Sequence, residues 1–145
     1  MRMTGAMPAP LVIAHRGASG HRPEHSAAAY RLAYRLDADS VELDLLPSRD
    51  GTLVCRHDLE LSRTTDVAVR PEFTHLRRTV EIEGQQVTGW FVHDFTVDQL
   101  RELTCRERWP RKRASSASYD GRYPILTLDE LLGLVDGESA RRGRA

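Results

Sequence analysis

Residues 11–17 read Leu11-Val12-Ile13-Ala14-His15-Arg16-Gly17. The first four form a short apolar run with two β-branched members, which favours a buried strand over a helix. The run stops on a histidine and an arginine, and Gly17, Gly20 and Pro23 then mark a loop. Ser26 is placed to cap a helix over 27–36, where Ala29, Leu32, Ala33 and Leu36 recur at helical spacing. A second strand is expected over 41–46, a turn at Ser48-Arg49-Asp50-Gly51, and a third strand over 52–57. Strand, helix, strand at this spacing reads as a parallel α/β unit. The link between the second and third strands is too short to hold a helix. Extended chain, at about 3.3 Å per residue, can cross back beneath a parallel sheet; a simple antiparallel hairpin is the competing topology, which spacing alone does not exclude.

Beyond residue 61 the pattern loosens. The stretch 61–124 holds Arg77-Arg78, an aromatic patch (Trp90, Phe91, Phe95) and a polar run over 111–118, and reads as an insertion with one short helix over 96–103. Thr127 and Glu130 then form a capping box ahead of an amphipathic helix carrying Leu128, Leu131, Leu132 and Val135 on one side. Residues 136–145 are small and basic and are expected to be a disordered tail. One domain over 11–135, with its insertion at about 61–124, accounts for the chain.

Composition narrows the class. Among 145 residues, 21 Lys+Arg balance 21 Asp+Glu, without the basic excess of a general nucleic-acid binder. No apolar stretch is long enough for a membrane span. Residues 1–10 contain no apolar signal core, so a cytoplasmic location is the default expectation. Cys55 and Cys105 are too few for a disulfide scaffold or a cysteine zinc site.

The chemistry gathers at three strand ends: His15-Arg16, Glu42 with Asp44, and His57-Asp58. In parallel α/β folds ligands bind outside the carboxyl ends of strands. Glu42 and Asp44 leave the same face of one strand, roughly 6 to 7 Å apart. Two carboxylates so placed repel unless a cation lies between them, and a hard divalent ion such as Ca²⁺ or Mg²⁺ suits oxygen ligands. An exposed edge with alternating polar residues is the blander alternative. His15 and His57 at neighbouring strand ends suit acid–base work, and Arg16 offers a fork for a phosphate. His93-Asp94 reads as a surface pair, Cys55 as a buried thiol, and the arginines at 106, 108, 111 and 113 as a solvated face.

In order and spacing, several motifs resemble those of the glycerophosphodiester phosphodiesterases. They are Ala14-His15-Arg16-Gly17-Ala18-Ser19-Gly20, Pro23-Glu24-His25-Ser26, Glu42-Leu43-Asp44, Ser48-Arg49-Asp50-Gly51, and His57-Asp58 followed by Leu61-Ser62-Arg63-Thr64-Thr65-Asp66. Weaker matches follow at Asp94-Phe95-Thr96 and over 123–130. Pro-Glu-His-Ser is similar to the periplasmic-type branch, whose members are often periplasmic or secreted. The resemblance implies a (β/α)8 TIM barrel that hydrolyses glycerophosphodiesters to glycerol 3-phosphate and an alcohol, in glycerol and lipid metabolism. It implies His15 as general base, His57 as general acid, Arg16 on the substrate phosphate, and Glu42 and Asp44 on a divalent cation.

Such a barrel needs about 250 residues, and the family's third metal ligand is a glutamate on the strand after the last helix. The expectation is therefore an incomplete α/β barrel, its first three strands plus an irregular insertion, completed by a complementing C-terminal half or by self-association. A non-catalytic remnant that binds phosphate or a partner protein is the alternative, and a barrel phosphodiesterase acting on phospholipids is a third reading.

Overall fold

Ile13–Ala14 (β1) and Ser40–Val41 (β2) pair in parallel, Ile13 opposite Ser40 and Ala14 opposite Val41, in the computed structural model, which describes residues 10–143. Helix α1 (Ala27–Arg35) makes the crossover between them. Ser26 caps it as expected: its hydroxyl accepts from the Ala29 N–H at 3.2 Å and donates to the Pro23 carbonyl at 2.6 Å. The buried face is Ala29, Tyr30 and Ala33, while Leu36 is the exposed C-cap rather than a core position. Gly17 lies under this helix at φ +75°, where a Cβ would sit 2.7 Å from the Ala29 carbonyl carbon. Only glycine combines that backbone with that approach.

The second strand, expected over 41–46, is divided. β2 ends at Val41, and Leu45–Pro47 (β3) pairs antiparallel with Leu53–Cys55 (β4), Leu46 opposite Val54. The hairpin forms because its turn satisfies itself. The Ser48 N–H bonds to the Thr52 carbonyl, Gly51 N–H to the Ser48 carbonyl, and the Ser48 hydroxyl to Asp50 at 2.6 Å. A crossing under a parallel sheet would forfeit these bonds. Only β1 and β2 are thus parallel. The strands of the described residues make three two-stranded sheets and no closed barrel, a correction to the expected row of three barrel strands.

The stretch 61–124 is better ordered than its sequence pattern implies. Arg78–Ile82 (β5) and Gln85–Gly89 (β6) form a hairpin whose connecting Glu83 and Gly84 both have positive φ, 49° and 76°, the signature of a type I′ turn. Short helices α2 (Val97–Arg101) and α3 (Ala114–Ala117) follow. The main core lies here: Leu61, Val67, Phe73, Trp90, Val92, Phe95, Leu100 and Leu103 close around Val54 of β4 and Ile125. A second cluster joins Tyr30, Cys55, Leu126 and Leu131 under β3 and β4.

Helix α4 (Leu128–Arg142) opens with both arms of the expected capping box. It continues through residues 136–142, where a disordered tail was expected, and ends on Gly143 in a left-handed C-cap. Arg142 explains the extension: its guanidinium donates to the Ala38 carbonyl at 2.8 Å and pairs with Asp37 at the foot of α1. Residues 144–145 of that expected tail, and residues 1–9, where no signal core was expected, lie outside the described residues. No described helix is long and apolar enough to cross a membrane.

Candidate active site

The end of β1 delivers His15 and Arg16. Arg16 stands at φ 58°, an uncommon left-handed conformation for a residue with a Cβ. That turn aims its N–H at Glu42 Oε2, 2.9 Å away. Its guanidinium donates from Nη1 to Glu24 at 3.2 Å. Nε lies 3.1 Å from Asp44 Oδ2 but off the hydrogen-bond line, so the contact is an ion pair only. His15 is largely exposed, with Nε2 4.0 Å from Glu42. The four predicted residues His15, Arg16, Glu42 and Asp44 therefore do come together, where the end of β1 meets the segment linking β2 to β3.

His57 reaches this group indirectly. Its Nδ1 lies 2.6 Å from Asp58 Oδ1. Asp58 Oδ2 accepts from Arg108 Nη1 at 2.6 Å, and Arg108 grips Glu24 through Nε at 2.8 Å and Nη2 at 2.6 Å. Glu24 then meets Arg16. One chain of charge-assisted hydrogen bonds thus runs from His57 through Asp58, Arg108 and Glu24 to Arg16, which meets Asp44 as an ion pair.

Electrostatics keep Glu24 and Asp58 ionised. Burial pushes Glu24 up, but the hydrogen bonds and charge of Arg108, with Arg16 and Arg56 behind, outweigh it and hold the carboxyl at about 2. For Asp58, burial is likewise outweighed by Arg108 and His57, and its carboxyl sits below the ordinary range. An ionised Asp58 can only accept, so His57 carries its proton on Nδ1 and presents Nε2 outward.

Beneath lies His25, fully buried, also at φ 58°. Burial, then the Arg56 charge, depress it to about 4 against the pull of Glu24 and Asp44. A neutral ring facing a carboxylate donates from Nε2 to Asp44, 3.2 Å away, and Nδ1 accepts the Tyr30 hydroxyl at 2.8 Å. Arg56 is 2% exposed and donates to the Cys55 and Thr64 carbonyls, with Nη2 on the Cys105 sulfur. Cys55 is a buried thiol as expected; burial pushes it up to about 12. His93 and Asp94 form a surface cluster with Arg78.

Sequence reasoning missed Glu24, His25, Arg56 and Arg108 as members of this network. Glu24 and His25 stood in a quoted motif without roles. Arg108 stood in a run read as solvated, although its side chain is only 11% exposed. A small cavity of about 120 Å³ opens among His15, Arg16, Ser19, Glu24, Arg108, Trp109 and Arg113.

The donor set for a cation is partial. Glu42 and Asp44 are hard oxygen donors, but among the described residues no three candidate ligands converge, and Asp44 Oδ2 already faces Arg16 and His25. Two carboxylates match the chemistry of Ca²⁺ or Mg²⁺ and fall short of a full coordination sphere.

A mixed α/β chain thus gathers histidines, an arginine and two carboxylates at its strand ends, where α/β folds bind ligands. A sequence profile, the glycerophosphoryl diester phosphodiesterase family, matches residues 15–141, and the chain belongs to that family. It is 42% identical over 126 residues to glycerophosphodiester phosphodiesterase GDPD6 of Arabidopsis thaliana, covering 87% of this chain and 33% of that protein. Against a glycerophosphodiester phosphodiesterase of Bacillus subtilis identity is 50% over 126 residues, covering 84% of this chain and 35% of the relative. The chain thus spans about a third of the length of these curated relatives. A glycerophosphodiester phosphodiesterase from Agrobacterium tumefaciens superposes with TM-score 0.62 at 25% identity, over 90% of this chain and 44% of that one. An Oleispira antarctica phosphodiesterase solved with sn-glycerol-3-phosphate gives TM-score 0.61 at 28% identity, over 90% and 41% of the two chains.

Proposed function

We propose that this chain carries the first part of a divalent-cation-dependent glycerophosphodiester phosphodiesterase barrel, hydrolysing glycerophosphodiesters to glycerol 3-phosphate and an alcohol. The observation that supports it is the continuous bonded chain from His57 to Arg16 and Asp44, which ties three strand ends and the insertion into one site.

In this reading His15, exposed beside Glu42, takes the proton of a water whose oxygen attacks phosphorus. Arg16 meets the phosphate oxygens, with its guanidinium held by Glu24 and Asp44. As the phosphorus–oxygen bond to the departing alcohol breaks, His57 in its doubly protonated form gives that oxygen its Nε2 proton and is left neutral with Nδ1–H on Asp58. Asp58, on Nδ1, fixes the ring for that transfer and stabilises its charged form. Glu42 and Asp44 would hold the cation, which supplies further positive charge for the phosphoryl oxygens. Arg16, fixed in place before substrate arrives, lends charge at no reorganisation cost.

A second reading, phosphate binding without turnover, is favoured by the partial ligand set around Glu42 and Asp44. Hydrolysis of glycerophosphocholine by the purified chain, with Ca²⁺ or Mg²⁺ and then with a chelator, separates the two. Chelator-sensitive release of glycerol 3-phosphate supports hydrolysis. Binding of glycerol 3-phosphate with no release supports the second reading.

A further inference from the structure

We infer that Arg108, contributed by the insertion, is a positioning residue that sets the proton-donating orientation of His57 by clamping Asp58 and Glu24 together. The inference rests on the reading of His57 as the acid of the proposed hydrolysis, but its structural content stands apart from turnover.

Arg108 is anchored from both sides before its side chain is considered. The Cys105 N–H bonds to the Tyr123 carbonyl and the Arg106 N–H to the Thr64 carbonyl, both at 2.8 Å. The Glu107 N–H bonds to Asp120 at 2.7 Å, and the Glu107 carboxylate takes the Trp109 N–H at 2.9 Å and the Ser116 hydroxyl at 2.5 Å. The backbone around Arg108 is therefore fixed, and its guanidinium arrives where two carboxylates from other parts of the chain converge. Glu24 accepts two of its N–H groups and Asp58 a third, all within 2.8 Å. A planar fork can hold two carboxylates at once; an ammonium on a flexible stem cannot match that geometry.

The consequence falls on His57. Asp58 has one oxygen on Arg108 and the other on His57 Nδ1. While Arg108 pins the carboxylate, Nδ1 keeps its proton and Nε2 is the nitrogen offered to the departing oxygen. Without Arg108, Asp58 is free to turn toward water, and His57, itself nearly half exposed, loses its orientation. Arg108 touches neither substrate nor reacting atoms in this scheme; it acts through Asp58.

The test uses the 145-residue chain. Nitrogen-15 NMR of the ring nitrogens, assigned with His57→Gln, reads which one carries the proton in neutral His57. The native chain is expected to show Nδ1–H. Arg108→Gln is expected to move His57 toward the Nε2–H form of a free imidazole, with circular dichroism unchanged. Should Arg108→Gln fail to fold, Arg108→Lys, which keeps the charge and loses the fork, carries the same readout. With glycerophosphocholine, the variants should lose about 10- to 100-fold in kcat with KM within about two-fold. Guanidinium ion added to Arg108→Ala should restore part of it. An unchanged Nδ1–H in the folded variants overturns the inference. If the native chain shows no turnover, the proposed hydrolysis fails while the tautomer readout still decides the role of Arg108.

Discussion

Glu24 gives the sharpest handle on how the site is held together. The residue is 6% exposed and bonded to Arg108 and Arg16, and its carboxyl falls from an ordinary 4.5 to about 2. A depressed acid binds fewer protons folded than unfolded. Its contribution is therefore complete above about pH 5 and is lost as pH falls through 4.5 towards 2. At about 1.4 kcal/mol per unit, this corresponds to roughly 3 kcal/mol, falling to roughly 1 to 2 kcal/mol near pH 3. Glu24→Gln removes the titrating group. Urea unfolding, followed by fluorescence of the buried Trp90, should show the variant weaker by about 3 kcal/mol near pH 6 and by less than about 2 kcal/mol near pH 3. If the native chain and Glu24→Gln lose stability in parallel over that range, the carboxylate is not held ionised by Arg108 and Arg16, and the network reasoning fails.

Other expectations follow from packing and from the ligand count. Phe95 is fully buried, edge-on to Phe73 at a ring separation of 5.2 Å, so Phe95→Ala should cost about 3 to 5 kcal/mol in urea unfolding. Near-neutral behaviour would mean that the stretch 61–124 lacks a packed core. Gly17→Ala forces both a left-handed φ and a contact with the α1 backbone, and should cost about 2 kcal/mol or more; a thermal midpoint equal to that of the native chain would contradict the close approach. Ca²⁺ titrated calorimetrically should bind more weakly than about 10⁻⁴ M, because among the described residues no three candidate ligands converge. Micromolar binding abolished by Asp44→Asn would instead point to a complete local ligand set.

What could be read from sequence was the part set by neighbouring residues. The Ser26 and Thr127–Glu130 caps lie within one helical turn of what they cap, and the β1–α1–β2 crossover follows from a short apolar run, a loop and a helical stripe. The strand-end residues His15, Arg16, Glu42 and Asp44 were located by the same logic. The hairpin of β3 and β4 stayed open because its two topologies differ in long-range pairing and not in local preference. Arg108 was illegible for the same reason: Glu24 lies 84 residues away, and one arginine among several looks like surface charge until the fold buries it. The β5–β6 hairpin is different, since Glu83-Gly84 between alternating Val80, Ile82 and Val87 was a local turn signal left unread. Helix α4 outran its apolar stripe because Arg142 found Asp37 and Ala38, a contact that no pattern within the helix announces.

His15, Arg16, His57 and the Glu42–Asp44 pair are proposed to form one phosphodiester-cleaving site. Phosphorus-31 NMR of glycerophosphocholine incubated with the 145-residue chain and Mg²⁺ or Ca²⁺ tests it directly, beside His57→Ala. The glycerol 3-phosphate signal is expected to grow with the native chain, at a rate lower by about 10²- to 10⁴-fold in His57→Ala. An equal rate in the two proteins, or no product from the native chain under either cation, would contradict it.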